Sequence, residues 1–382
     1  MSNPGTVLAG TVVTPSEVLD DAVVEVRDGL LGYVGPRSGW DGVAPERAGV
    51  LVPGFVDIHC HGGGGHVFTS TDPEEIAAVA FHHLAHGTTS VLAGLISAPV
   101  DTISAQVQVV AGVVESGATS VVGSFLEGPW ISHERRGAHD PSALAEPDAD
   151  VARSWLDAGR GTVRMITLAP ELPGADAIAQ LLEEAGVLAA HGHTDADAGT
   201  LGAALRARHT PLVTHLFNGM APLHHRAPGA AGAALRELAR GGATVELIAD
   251  GVHLADETVA MVFEVARGGH VVLVSDAMNA AGLSDGEYRL GSLEITVTDG
   301  IARIASGSIA GGTSHVADQV RRAVTLTGLD PVRVVAAAST TPAALLGLSD
   351  RGALAKGLRA DLVVLDDDWR VNRVMRGGAW VD

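Results

Sequence analysis

Six apolar, β-branched runs of this 382-residue chain close on an ionisable side chain, and those side chains are of metal-binding and proton-transferring types. The first is Asp57-Ile58-His59-Cys60-His61. With the two-residue period of a strand, His59 and His61 project to one face and Cys60 to the other. Phe125-Leu126 runs into Glu127, His191-Gly192 into His193, and Thr214 into His215. Val274-Ser275 runs into Asp276, and the sixth run leads to Asp250-Gly251-Val252-His253. A lone His-x-His pair is weak evidence. Joined to Glu127, His193, His215 and Asp276, each closing a separate run, it describes a divalent-metal centre. Imidazole and carboxylate donors suit Zn²⁺ or Fe²⁺, with Mn²⁺ or Co²⁺ as alternatives, one or two ions per subunit. A cation bound there would lower the pKa of a coordinated water toward ~7.

The elements that would present these residues follow from the texture of the chain. From about residue 50, apolar runs near 51–58, 88–96, 119–126, 162–168, 187–191, 211–215, 244–249 and 270–275 alternate with helical segments. Those helices fall near 74–86, 102–115, 174–185, 197–207, 230–240 and 255–267. Continuous β-branched strands separated by helices imply parallel pairing, and eight such units imply a closed (β/α)₈ barrel. In that fold chemistry sits at the C-terminal ends of the strands, which is where the ionisable residues fall. A β-like excursion near 285–305 and helices near 314–327 and 331–346 follow. Short strands before residue 50, with the Asp28-Gly29 turn, and strand texture in 361–382 predict a small β-sandwich domain built from both chain ends. The expected division is 1–50 and 351–382 for the small domain and 51–350 for the barrel.

Composition bounds the partners. Apolar residues make 46% of the chain, enough for a large core, while aromatics are only 3%, so aliphatic and alanine packing must fill it. A net charge of −20 argues against a nucleic-acid binder, which needs a basic face, but leaves room for a small phosphorylated ligand held by local arginines. One cysteine excludes an internal disulfide. Residues 1–10 lack the pattern of a secretory signal and no run of 18 apolar residues occurs, so the expected address is cytoplasmic, without membrane contact. The 17 histidines must be judged singly. Cys60 reads as a small buried hydrophobe, and Asp57 as a hydrogen-bonding group beneath the ligands. His191 is at most a support for a ligand. His82, His83 and His86 read as solvated or packing residues of the first helix, and His224 and His225 as loop residues. His66, His133, His209, His270 and His315 form no constellation in the sequence.

Several segments carry a resemblance. Val52-Pro53-Gly54-Phe55-Val56-Asp57-Ile58-His59-Cys60-His61 resembles the first-strand motif of the amidohydrolase superfamily. Leu126-Glu127-Gly128-Pro129-Trp130, Gly192-His193-Thr194, Thr214-His215-Leu216-Phe217-Asn218-Gly219-Met220, Ala249-Asp250-Gly251-Val252-His253 and Val274-Ser275-Asp276-Ala277 are similar to its N-acetylglucosamine-6-phosphate deacetylase family. That resemblance implies a metal held by Glu127, His193 and His215 and a catalytic acid/base at Asp276. Because His59 and His61 are both present, it also implies a second ion sharing Glu127. On the substrate side it implies Asn218 and Gly219, Arg226 for phosphate, and His253 for sugar or phosphate. The loop Arg135, Arg136, Ala138 and His139 is implied as a basic substrate loop lent across a homodimer interface. Gly219 replaces the family's more common Ala, and Ser275 its more familiar Thr. The implied substrate is an N-acetylhexosamine 6-phosphate in amino-sugar catabolism or cell-wall recycling. The alternatives are the galactosamine epimer, another amide, or a sugar-phosphate-binding homologue without catalysis.

Overall fold

The eight apolar runs assemble into one sheet of eight parallel strands in chain order: Phe55–Asp57, Thr88–Ile96, Val121–Glu127, Val163–Leu168, Leu188–His191, Leu212–Val213, Thr244–Leu247 and Val271–Leu273. This computed structural model describes residues 5–381; residues 1–4 and Asp382, the outermost positions of the two flanking segments, lie outside it. The expected (β/α)₈ architecture is present, and the strands curl into a nearly closed barrel. Strands one and eight share no ladder. They meet just beyond their ends, where Asp276 N–H donates to His59 O at 2.8 Å and His61 N–H to Ala277 O at 2.8 Å. Seven strands contribute an apolar residue to one interior cluster, Val56, Leu92, Phe125, Met165, Ala190, Leu212 and Val272, joined by Ile248 just past the end of strand seven. The barrel is therefore filled, and only its C-terminal mouth is left for ligands.

Two expected elements are divided. Residues 51–58 are not one strand. Glu46–Pro53 joins the flanking sheet, pairing Pro53 with Leu362, and the barrel strand begins after Gly54. A Cβ on Gly54 would stand 2.2 Å from Thr89 Oγ1, so only glycine lets the chain cross so close to strand two. The expected helix 331–346 is two, Pro331–Ala338 and Thr340–Leu345. Pro342 cannot donate to the preceding turn, and the break falls at Ser339. One helix went unpredicted, Ala149–Gly159, which buries only Ala152, Trp155 and Gly159, too sparse an apolar stripe to read from periodicity.

Both chain ends meet in a single seven-stranded sheet, with residues 362–365, 371–376 and 379–380 added beside Glu46–Pro53 and the three N-terminal strands. The excursion after strand eight is a three-stranded antiparallel sheet, Gly286–Leu290, Leu293–Thr298 and Ile301–Ile304. Its apolar face packs Leu290, Ile295 and Val297 on Met278 and Ala310, which raises a wall beside the barrel mouth.

Candidate metal centre and active site

Sequence alternation brings His59 and His61 into the mouth, but three other ligand candidates need a backbone that strands do not supply. His193, His215 and Asp276 have φ of 45°, 25° and 46°, in the left-handed region that costs a non-glycine residue about 1–2 kcal/mol. The kinks fall two or three residues past the strand ends His191, Val213 and Leu273, and all three side chains line the cavity at the barrel mouth. Backbone strain collected on three functional positions is the pattern of a site whose surroundings over-determine it.

Glu127 is the hub. Its Oε1 lies 2.9 Å from His193 Nε2 and 2.9 Å from His215 Nε2, and its Oε2 lies 3.1 Å from His61 Nε2. Asp276 Oδ1 stands 3.3 Å from His59 Nε2 and 3.4 Å from His61 Nε2. One carboxylate thus faces both histidine pairs, with the second carboxylate over the His59–His61 pair. Within each pair the Nε2 atoms are close, 3.2 Å for His59 and His61 and 3.1 Å for His193 and His215.

In two of these rings the second nitrogen is committed to an acceptor, which would leave Nε2 free for an ion once the ring is neutral. His59 Nδ1–H donates to Glu246 Oε2 at 2.9 Å, and His193 Nδ1–H donates to the Arg135 carbonyl at 2.8 Å. In a neutral imidazole the other nitrogen is then an acceptor or a ligand. Asp57, wholly buried, lies under the site and accepts from the His59 and Ser275 backbones. Burial, tempered by its Ser275 hydrogen bond, raises its pKa to about 6.

Charge in the cluster is lopsided. Burial favours neutral His61, yet Asp276 and Glu127 outweigh it and push the imidazole up to about 9. His59 is also raised well above its ordinary value, burial being overcome by Glu127 and Glu246. Glu127 and Asp276 are held below the ordinary carboxylate range against their burial, by the histidines that face them. Buried carboxylates that retain charge among imidazoles define a cation-seeking cavity. Nitrogen and oxygen donors converging on the same space fit one or two borderline divalent ions.

A cavity of about 270 Å³ opens over this cluster. His61, Glu127, His193, His215 and Asp276 line it with ionisable groups, Asn218, Gly219 and His253 add polar ones, and Ile96, Ala138, Leu290, Ile309 and Ala310 are its apolar lining. His253 is anchored by Asp250, its Nδ1 2.8 Å from Oδ2. His139, expected as a substrate contact, goes deeper. Its Nε2 is 3.3 Å from Glu127 Oε2 and its Nδ1 2.9 Å from Ser97 Oγ, so it touches the hub carboxylate as well as the cavity.

Three arginines are not part of the cavity wall. Arg226 is exposed on the loop beyond Asn218 and Gly219 and bonds its neighbour His225 at 2.8 Å. Arg135 pairs with Asp195 at 2.7 Å and contributes to the site through its backbone carbonyl, and Arg136 bonds the His133 carbonyl at 2.6 Å. His191 is buried but joins none of the ligating clusters. Sequence reading missed Glu246, fully buried on strand seven, although a carboxylate inside an apolar strand was a visible signal. It also missed Ser97 and the wall from Ser308 to Gly311, whose role depends on how distant loops pack.

Comparison with known proteins agrees with this geometry. The amidohydrolase family model matches residues 50–381. An N-acetylgalactosamine-6-phosphate deacetylase of Escherichia coli O157:H7 is 34% identical over 369 residues, 96% of each chain. An N-acetylglucosamine-6-phosphate deacetylase of Bacillus subtilis is 32% identical, covering 94% of this chain and 92% of its own. Among solved structures, a mutant N-acetyl-D-glucosamine-6-phosphate deacetylase of Mycobacterium smegmatis, in complex with N-acetyl-D-glucosamine-6-phosphate, superposes with a TM-score of 0.93. It is 41% identical, over 99% of this chain and 100% of that one.

Proposed function

The chain belongs to the amidohydrolase family, and from that premise we propose that it hydrolyses the N-acetyl amide of N-acetylglucosamine 6-phosphate to glucosamine 6-phosphate and acetate. The observation that carries this reading is the placement of Asp276. Its carboxylate stands between the His59–His61 pair and a cavity sized for one sugar phosphate.

His59, His61, Glu127, His193, His215 and Asp276 are the residues that would hold divalent metal, with Glu127 facing both histidine pairs. A bound cation supplies Lewis acidity and a lowered water pKa near ~7. Asp276 accepts the proton of the attacking water and hands it to the departing amine, a role worth roughly 10²–10⁴ in rate. His253, kept in place by Asp250, faces the cavity as a hydrogen-bond donor to the developing oxyanion or a sugar hydroxyl. Asn218 and the Gly219 backbone orient the sugar. Ile96, Leu290 and Ile309 exclude water from that side.

Arg226, outside the cavity wall, is assigned the phosphate, and Arg135 and Arg136 serve a second subunit of a homodimer. The catalytic unit is the barrel, expected over 51–350 and begun a few residues later because Leu51, Val52 and Pro53 pair in the flanking sheet, and its place of work is the cytoplasm. Among the described residues no helix is long and apolar enough to cross a membrane. The 34% identical galactosamine-epimer relative supports a second reading, with N-acetylgalactosamine 6-phosphate as substrate. Acetate release from both epimers by metal-quantified protein, before and after chelation, decides. The proposal expects the glucosamine epimer to be the better substrate and chelation to abolish turnover. Release from neither epimer overturns it.

A further inference from the structure

A second histidine cluster lies outside the barrel mouth, where nothing in the proposed reaction uses it. His82 and His86 sit four residues apart on helix Pro73–Ala85 and its C-terminal cap, so they share one face. His315 caps the start of helix Val316–Thr325, after strand eight. One ring nitrogen from each of the three lies within 4.8 Å of the other two. His315 Nε2 is 3.0 Å from His82 Nε2, and the His86 and His315 rings stack 3.8 Å apart, 3° from parallel.

The outer nitrogens of two rings are already committed. His86 Nδ1 lies 2.7 Å from the His82 carbonyl, which only accepts, so that nitrogen carries the hydrogen. His315 Nδ1 lies 3.2 Å from Asp318 Oδ2, a carboxylate that likewise accepts. With Nδ1 turned to an acceptor, each of these rings presents its Nε2 inward as the donor atom for an ion, and carboxylate support of a histidine is how proteins orient zinc ligands. The Nε2–Nε2 spacing of 3.0 Å matches the 3.1 and 3.2 Å of the two pairs in the barrel mouth. Space is also reserved for the rings. A Cβ on Gly282 would fall 2.6 Å from His82 Cε1, and one on Gly64 would fall 2.7 Å from His82 Nδ1.

We propose that His82, His86 and His315 form a structural site for a borderline divalent ion such as Zn²⁺, separate from the catalytic centre, that staples the first and last β/α units of the barrel together. The location gives it that task. Strands one and eight share no ladder, and the seam is held by a few bonds past the strand ends, among them Gly64 N–H to Ala281 O at 3.0 Å. Helix Pro73–Ala85 lies on one side of this seam and His315 on the other. Three imidazoles leave one tetrahedral position for water, reached from the half-exposed His82–His86 side.

Zinc content after equilibration with Zn²⁺ and gel filtration tests the proposal on intact protein. Wild type should hold one equivalent more than His86→Gln or His315→Asn. Asparagine keeps a good helix cap at position 315. Both variants should keep wild-type deacetylation rates, because the barrel-mouth ligands are untouched, and should lose the extra thermal stabilisation that Zn²⁺ gives wild type. Anomalous scattering at the zinc edge from wild-type crystals, independent of any variant, should show a peak between the three Nε2 atoms. Equal zinc content in all three proteins, or no peak there while the barrel mouth is occupied, overturns the site and leaves a proton shared between His82 and His315.

Discussion

Asp276 and Glu246 are both carboxylates touching His59, and they should fail in different ways. Asp276 faces the cavity, so Asp276→Asn should lower kcat by about 10²–10⁴ even at saturating metal, with KM near wild type, measured by acetate release. Near-wild-type turnover would remove it from the proton path. Glu246 never reaches the cavity; it fixes the His59 ring at 2.9 Å and accepts from the His215 backbone at 3.1 Å. Glu246→Gln should therefore weaken metal binding by about 10–100-fold in chelator competition, with kcat recovering at saturating metal. The two residues also differ in legibility. Asp276 ends an apolar run, where barrel chemistry is expected, and was readable. Glu246 lies mid-strand, where its neighbours Val245 and Leu247 suggest only core, and its partner is 187 positions away. His82 and His86 read in the sequence as solvated or packing residues of the first helix, and His315 as part of no constellation, because it meets His82 only across the seam, 233 residues distant in sequence.

At the scale of elements, alternation of apolar strands with capped helices was sufficient to recover the barrel. Asp72, for example, accepts from Glu74 N–H with Pro73 in the first turn, a start signal visible in Thr71-Asp72-Pro73. What stayed hidden were elements whose stabilisation is tertiary. Helix Ala149–Gly159 is held by Trp155, wholly buried and stacked on Trp130 with ring centroids 4.9 Å apart. Trp130 lies three residues past the hub carboxylate Glu127, so this helix buttresses the loop that carries the hub. Trp155→Ala should cost about 3–5 kcal/mol in urea unfolding, the usual penalty for emptying a buried aromatic site. It should also loosen metal retention more than an equally destabilising change in the flanking sheet, such as Met375→Ala. Equal metal retention in the two variants would separate the helix from the hub.

Over the whole molecule the 17 histidines are the sequence feature with the broadest consequence, because several are buried neutral. Burial and the neighbouring His315 ring hold His83 down at about 3, and burial and Arg208 hold His191 at about 4. Unfolded, each titrates near ~6.5. Below that pH the unfolded chain takes up a proton that the native state refuses. Their stabilising contribution is therefore complete above pH ~6.5 and is lost as pH falls, by up to about 1.4 kcal/mol per pH unit for each. Asp57, raised by burial to about 6, works the other way between ~3.8 and 6, because there the native state holds the extra proton. The total slope mixes these terms, so the decisive measurement is a difference. In chelated protein, His83→Gln keeps a donor for the Gly62 carbonyl, which His83 Nε2 meets at 2.9 Å, and removes one titrating group. Between pH 6 and 4.5 its urea-unfolding free energy should fall less steeply than wild type, by about 1.4 kcal/mol per pH unit. Parallel slopes for the two proteins would mean that His83 is already protonated in the native barrel, with the burial beside Cys60 offset by a partner other than Gly62.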